Sequence, residues 1–486
     1  MSPLPNPHTP DVRPASGDAS LLQQLQAALG ASSVLHGPAL LEQRTFDWSS
    51  ATHETPLLLV LPKTTADVAT ALRICHAHRQ PIAIQGGLTG LAGGANPLAN
   101  EVALSLSRLY SIEDIDPVGA TAVVQAGVTL QALQDAAASH GLYFPLDLGA
   151  RGSCQLGGNA ATNAGGQRVL RFGMMRNLVL GLEVVLPDGT VLTMLDRMLK
   201  NNAGFDLKQL FIGSEGTLGV VTRLSLPLMT RPAWQGTALC AVGDFPAALA
   251  LLRHAKASAP GLTAFELMWQ DYFEASAAAC KASLPFDERY PLYVLVECFA
   301  GSQAQGQAMF ESLLESAMGA GMVRDAIVAQ SESQAAQLWA YREGISELLS
   351  ICRPCAGFDV SVPIQRMAAL VEVLRARLSA AYPEPMHLFF GHLGDGNLHL
   401  TSGPFQRAAD LEGAEELVYE CVGEFGGSIS AEHGVGVVKR AHLHHSRSAA
   451  EVRLMQQLKS MLDPHALLNR GRIFEPAQGS TDRSDG

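Results

Sequence analysis

Apolar residues recur along this chain in short blocks, interleaved with stretches in which they fall three and four positions apart. This is the rhythm of strands alternating with amphipathic helices. Leu21 to Leu29 predicts a short helix stopped by Gly30, and Pro56 to Pro62 an apolar strand. Thr64 then caps a helix whose inner face carries Val68, Leu72 and Cys75, and Ile82 to Ile84 is the next strand. From Trp234 onward the organisation shifts. Thr237 to Val242 and Tyr293 to Phe299 read as strands, each followed by an apolar-faced helix, Ala247 to Lys256 and Gln303 to Ala317. That repeat predicts an antiparallel sheet covered on one side. Ser333 to Leu349 predicts a helix with Leu338, Arg342, Ser346 and Leu349 on one stripe, so Arg342 shares a face with apolar residues. Asp359 to Pro363 and a helix reaching Leu378 follow, and a last helix spans Ala449 to Leu462.

The stretch His387 to Ser402, HLFFGHLGDGNLHLTS, carries the densest chemistry. Asp395-Gly396 between an apolar and an alternating run predicts two strands closed by a type I′ turn, with His392 directly opposite His399. Asn397, His399 and Thr401 then line one side. The turn Ser428 to Gly436, SISAEHGVG, offers Glu432 with His433 beside it. Two imidazoles and a carboxylate form a catalytic metal pattern. The plainer alternative is a cross-strand histidine pair and a surface acid, with His433 either a turn residue or itself the ligand in place of Glu432.

Length and composition narrow the classes. A chain of 486 residues suggests two or three domains, and 47% hydrophobic with 16% charged residues describes a globular protein. The net charge of −12, without a basic stripe, argues against nucleic acid as a partner. Purely apolar runs such as Leu57 to Leu61 are far too short to span a bilayer. The first residues show neither a secretory nor a mitochondrial leader pattern, so the cytoplasm is the expected compartment. Cys352 and Cys355 form a lone CxxC, which fits reduced thiols better than a zinc knuckle. Residues 1–20 and 477–486 read as disordered tails, 21–232 and 233–424 as two domains, and 425–476 as a segment returning to the first.

Three glycine-rich loops alter the picture. Gln85 to Gly94 (QGGLTGLAGG) follows a strand directly, and its backbone NH groups can converge on a diphosphate. It lacks the Gly-Lys-Ser/Thr of a Walker loop and the acid of a Rossmann fingerprint. Leu148 to Gly166 (LGARGSCQLGGNAATNAGG) and Phe211 to Val221 (FIGSEGTLGVV) supply two more. Together they suit a long ligand of dinucleotide size with a polycyclic head.

PIAIQGGLTGLAGG, PLDLGARGSCQLGGNAATNAGG and LKQLFIGSEGTLGVV resemble the FAD-binding domain of the vanillyl-alcohol oxidase superfamily, and most closely its D-2-hydroxyglutarate and D-lactate dehydrogenases. GHLGDGNLHL and SAEHGVG resemble that group's C-terminal metal and catalytic motifs, so the resemblance runs from about Pro56 to Phe474. It implies an α+β, two-domain flavoprotein: an FAD-binding domain plus an antiparallel-sheet substrate domain. It implies FAD contacts from Gln85, Gly86, Gly87, Leu88, Thr89, Gly90 and Gly94, then from Gly152, Ser153, Gly157, Gly158, Asn159, Thr162, Asn163 and Gly165. Glu215, Gly219, Val220 and Asn469 complete the set, with Arg470 standing where the family usually has proline. The first loop has no histidine, so non-covalent FAD is expected, although Cys154 in the second loop makes a thioether conceivable.

The resemblance further implies oxidation of a D-2-hydroxy acid to the 2-oxo acid. A divalent metal, with zinc favoured, sits on His392, His399 and Glu432 in this reading. His433 is the base, hydride passes to flavin N5, and Arg342 holds the substrate carboxylate. Ser346, Asn397 and Thr401 are the remaining substrate-binding candidates. In enzymes specific for D-2-hydroxyglutarate the distal carboxylate meets a threonine, a lysine and an asparagine. Ser346, Gly357 and Thr401 stand at those positions here, and Arg353 is the nearest substitute cation in the chain. The missing ammonium favours D-lactate or another monocarboxylic acid over D-2-hydroxyglutarate or D-malate. Rival readings are a non-haem iron oxygenase and a flavin-binding subunit of a larger complex. The electron acceptor (quinone, electron-transfer flavoprotein, cytochrome or oxygen) has no legible signature, and a homodimer is compatible with the sequence.

Overall fold

The computed structural model describes residues 16–49 and 51–475. Its first half is organised around two sheets sharing one apolar core, which runs from Leu21 to Leu228 and takes in Leu468. In the four-stranded sheet, Leu58–Val60 and Ile82–Gln85 both pair in parallel with Val102–Ser105, and Val34–Leu35 closes one edge antiparallel. The helix Thr65–Ala77 makes the first crossover. Its N-terminus is fixed by a capping box in which Thr64 Oγ1 accepts from Asp67 N while the Asp67 carboxylate accepts from Thr64 N. Parallel strands aim their carboxyl ends at one side, and the first glycine-rich loop leaves Ile82–Gln85 there. The five-stranded antiparallel sheet is ordered Ile112–Asp116, Thr121–Gln125, Val220–Pro227, Gly181–Val185, Val191–Met194.

The second half is built on a seven-stranded antiparallel sheet ordered Asp325–Val328, Trp234–Val242, Leu292–Ala300, Leu262–Trp269, Met386–His392, Asn397–Gly403, Ala356–Ser361. One face packs on helices such as Phe245–Ser258, Gln303–Gly319 and Met367–Ala381. The other packs a smaller aromatic cluster around Tyr272, Phe273, Tyr293 and Phe390, so the sheet is covered on both faces rather than on one. Arg168 links the halves: its Nε donates to Glu297 Oε1 (2.9 Å) and its Nη1 to Asp147 Oδ2 (2.7 Å). The chain end returns to the first half through the Ile82–Leu468 bridge and the buried pair Arg472–Glu101.

Two further expectations need correction. The first helix starts at Ser16 rather than Leu21, so residues 16–20 are not a disordered tail; residues 1–15 and 476–486 lie outside the described residues. The long helix over 333–349 is two, Glu332–Glu343 and Ile345–Cys352, broken at Gly344. A Cβ there would lie 2.4 Å from Ser276 Oγ, so only glycine allows this close approach of the turn to the neighbouring helix. The break separates the fates of two residues once placed on one stripe: Arg342 is buried and Ser346 is exposed.

Candidate active site

The hairpin forms, but in a different register. Phe390 pairs with His399 and Leu388 with Thr401, so the strands are joined by a four-residue turn, Leu393 to Gly396, rather than by a two-residue type I′ turn. The amides of Asp395 and Gly396 both point at the carbonyl of His392. His392 and His399 are therefore diagonal neighbours instead of direct partners. Because the slip is an even number of residues, their shared face survives. The ring centroids are 5.3 Å apart, and the ligand atoms of His392, His399 and Glu432 lie within 4.8 Å of one another, with His392 Nε2 3.8 Å from Glu432 Oε1.

Two buried acids hold this cluster. Glu266, in the strand Leu262–Trp269, receives His392 Nδ1 at 2.7 Å and Arg342 Nε at 2.7 Å. Arg342 Nη2 reaches His392 Nε2 (3.2 Å), and its guanidinium lies 4.6 Å from the centre of the Phe390 ring. Burial works against the charge of His392, yet the Glu266 carboxylate outweighs it and raises the imidazole to about 9. Asp359 is the second organiser. Its Oδ2 accepts the backbone NH of Glu432 (2.8 Å) and of His433 (2.9 Å), and its Oδ1 accepts Asn397 Nδ2 (2.7 Å). Burial would raise this carboxyl, but the imidazole of His433, the Lys439 ammonium 3.9 Å away and His399 hold it well below the usual carboxylate range. Burial lowers His433, against the pull of Asp359, and burial together with Arg342 lowers His399 further. Both imidazoles keep free lone pairs at neutral pH. Desolvation pushes Glu432 up to about 7.

A cavity of about 550 Å³ runs from Asp47 and Trp48, along the three glycine-rich loops, to Glu432 and His433. Of the expected cofactor residues, Gly86, Gly87, Leu88, Thr89, Gly90, Gly94, Gly157, Gly158, Asn159, Thr162, Gly165, Glu215, Gly219 and Asn469 line it. Gln85, Gly152, Ser153, Asn163 and Val220 do not. Gln85 is buried and donates to the carbonyls of Thr45 and Ala95, bracing the first loop from behind. Gly152 and Ser153 lie in an exposed turn. Asn163 takes a positive φ and accepts from Arg176 N. Val220 faces the core, and strand alternation gives the wall position to Val221. The loops touch directly: a Cβ on Gly87 would sit 2.1 Å from the carbonyl oxygen of Ser153. Asn469 ties two of them, accepting from Ile84 N (2.7 Å) and donating to Glu215 O (2.6 Å). Glu215 in turn accepts from the amides of Val435 and Gly436, joining the third loop to the His433 turn.

Among the described residues, Gln155 Oε1 and Asp47 Oδ2 are buried acceptors without a partner, and both residues line the cavity. Orphaned acceptors beside a glycine-lined channel fit a ligand with hydroxyl and imide donors, as FAD has. Glu266, Asp359, Gln155 and Asp47 were not anticipated. For the first two a signal existed, since each is a lone acid inside an apolar strand (LTAFELMW and GFDVSVP), and such an acid needs a buried partner. Ser346 lines the same cavity, whereas Asn397 and Thr401 are buried in the sheet beside it.

Parallel strands feeding glycine loops, a dinucleotide-sized channel and a titratable cluster at its end define a two-domain flavoprotein that oxidises a CH–OH donor. Residues 56–195 match the FAD binding domain family and residues 231–473 the C-terminal domain of FAD linked oxidases, so the chain belongs to the FAD-linked oxidases. It is 40% identical to the D-2-hydroxyglutarate dehydrogenase of Xanthomonas citri pv. viticola, over 94% of this chain and 98% of that protein. It is 41% identical to the mitochondrial D-2-hydroxyglutarate dehydrogenase of Bos taurus (90% and 80% covered). Identity to a putative mitochondrial D-lactate dehydrogenase of Schizosaccharomyces pombe is 37% (89% and 84%). Among solved structures, p-cresol methylhydroxylase with substrate bound superposes with a TM-score of 0.76 at 17% identity, covering 94% of this chain and 97% of that one. Alkyldihydroxyacetonephosphate synthase gives 0.74 at 17% identity (95% and 86%). These two share the fold. Among the described residues no helix is long and apolar enough to cross a membrane.

Proposed function

We propose that the chain oxidises a D-2-hydroxy acid to the 2-oxo acid, with Arg342 fixing the carboxylate and His433 taking the hydroxyl proton. The observation that carries this reading is the single channel along three glycine-rich loops that ends on Glu432 and His433, beside His392, His399 and Arg342. FAD, held non-covalently along Gly86 to Gly94 and Gly157 to Gly165, supplies the two-electron acceptor. Burial keeps the Cys154 thiol protonated, which argues against a thioether. A divalent ion suited to two imidazoles and a carboxylate, zinc foremost, supplies Lewis acidity at His392, His399 and Glu432.

The protein groups do the rest. Glu266 holds a proton on His392 Nδ1, so a cation that displaces the second proton of this imidazolium would meet Nε2, the nitrogen 3.8 Å from Glu432. The same acid anchors Arg342 through Nε and orients the remaining guanidinium edge for a carboxylate. His433 rests neutral, within 3.7 Å of the Asp359 carboxylate through Nδ1, so the imidazolium formed by proton uptake meets a fixed negative charge. The C2 hydrogen is thereby presented to the flavin end of the channel.

The relatives named above support D-2-hydroxyglutarate as the leading substrate. A second reading rests on Gly357, which lies opposite Thr401: nothing comes within 4 Å of a Cβ there, so the tail end of the site has room but no ammonium, and Arg353 is exposed. That favours D-lactate or another monocarboxylic acid. Anaerobic mixing of the yellow protein with D- and L-2-hydroxy acids, followed by absorbance of oxidised flavin, tests both. Bleaching by D-acids only, abolished by chelator and restored by zinc, is expected. A protein that no D-2-hydroxy acid bleaches defeats the proposal, and the ratio of rates for the five-carbon diacid and D-lactate decides the substrate.

A further inference from the structure

We infer that the chain has a second divalent metal site, formed by Glu416, His442 and His445 and independent of the flavin-side cluster. The helix Ala408–Glu424 brings Glu416, Tyr419 and Gly423 to one face, since they recur at three and four positions. Against that face packs the short 3₁₀ helix Arg440–His445, in which residues three apart eclipse, so His442 and His445 project side by side. Gly423 permits the approach: a Cβ there would lie 3.2 Å from the His445 carbonyl oxygen and 3.3 Å from its Cβ.

His442 Nδ1 is 3.0 Å from Glu416 Oε2, and His445 Nε2 is 3.5 Å from Glu416 Oε1. One ligand atom from each residue can be chosen so that all lie within 4.8 Å of one another. A tetrahedral ion with bonds of about 2.0–2.1 Å sets its ligand atoms about 3.3 Å apart, which these spacings straddle. Both ring nitrogens are buried and lack a hydrogen-bond partner among the described residues, because neither is aligned with the carboxylate oxygen beside it. An ordinary histidine–glutamate pair would place an N–H on that line. Three ligand atoms gathered within 4.8 Å, two of them buried ring nitrogens without a partner, suit a shared cation instead. The Glu416 side chain is 57% exposed, so water completes the coordination and the ion exchanges with solvent. Imidazole nitrogen with one carboxylate selects zinc and its transition-metal neighbours over calcium or magnesium.

The position suggests a clamp. Tyr419 lies against His442 with the rings tilted (4.7 Å) and meets Phe358 edge-on (5.5 Å), next to Asp359, while Lys439 immediately precedes the 3₁₀ helix. An ion bound there pins the segment that follows the His433 turn to the helix behind it.

Equilibrium dialysis of the full FAD-loaded chain at low-micromolar free zinc, with metal counted by mass spectrometry, tests the site. Wild type is expected to hold one zinc more than the His442→Ala/His445→Ala double variant, and the His392→Ala/His399→Ala variant to keep that extra zinc. Equal zinc in wild type and the His442→Ala/His445→Ala variant overturns the inference. Loss of zinc from the His442→Ala/His445→Ala variant alone supports it and counts against the flavin-side metal. Should the double variant not fold, Glu416→Gln, altered at a largely exposed carboxylate, must lower zinc affinity at this site by about 10-fold or more. It must also lose the zinc-dependent rise in melting temperature attributable to this site. Wild-type behaviour of Glu416→Gln on both readouts is equally fatal.

Discussion

Glu266→Gln isolates the electrostatic organisation of the site with almost no change in volume. The carboxylate is fully buried and serves two donors, His392 Nδ1 and Arg342 Nε, each at 2.7 Å. An amide has one acceptor oxygen, so one of the two must face an NH₂. If the oxygen stays with Arg342, Nδ1 of His392 faces an NH₂ group, so the neutral imidazole that binds a cation would carry its proton on Nε2, the nitrogen that looks toward Glu432. If it stays with His392, Arg342 keeps a donor facing a donor. In both cases the buried guanidinium loses its counter-ion, which costs about 3–5 kcal/mol of stability. Disrupting the partner of a metal-binding histidine costs about 10–100-fold in metal affinity, or about 1.4–2.8 kcal/mol. Urea unfolding, zinc competition against a chromophoric chelator and the anaerobic flavin-reduction rate read the three consequences separately. Unfolding midpoint and zinc affinity both equal to wild type would refute the argument that Glu266 sets the tautomer of His392 and the charge balance of Arg342.

Other perturbations act on single links of the same chain of reasoning. His433→Ala should keep flavin absorbance and metal content while the reduction rate falls by about 10²–10⁴, the contribution of a positioned base; an unchanged rate removes His433 from proton transfer. Gly87→Ala introduces a methyl 2.1 Å from the Ser153 carbonyl oxygen, which forces the first two loops apart. The purified variant should carry much less FAD per chain, and a normal ratio of flavin to protein absorbance would show that the loops yield without cost. Gly357→Lys places an ammonium where nothing obstructs a Cβ, and should raise kcat/KM for D-2-hydroxyglutarate relative to D-lactate by about 10-fold or more, as a new charge-assisted contact of about 1.5–3 kcal/mol allows. No change in that ratio would mean that Gly357 does not face the substrate tail.

Periodicity along the chain determined most elements and the division of labour between a glycine-looped half and an antiparallel half, because burial pattern and loop chemistry are local properties of sequence. It also determined that His392 and His399 share a face, since that depends only on the parity of strand alternation. The register of their hairpin was decided elsewhere. Ala356–Ser361 pairs with Asn397 to Ser402 on the far side of that strand, and the hairpin closes through a four-residue turn. The helix break at Gly344 likewise came from the packing of a distant helix against the turn. Only the tertiary structure could name Glu266 and Asp359 as partners of His392 and of the His433 turn, 126 and 74 residues away, or bring Glu416 to His442 and His445. Each lone acid was visible in sequence as a group needing compensation. Which cation or donor compensates it depends on through-space Coulomb and hydrogen-bond contacts, which no linear pattern encodes.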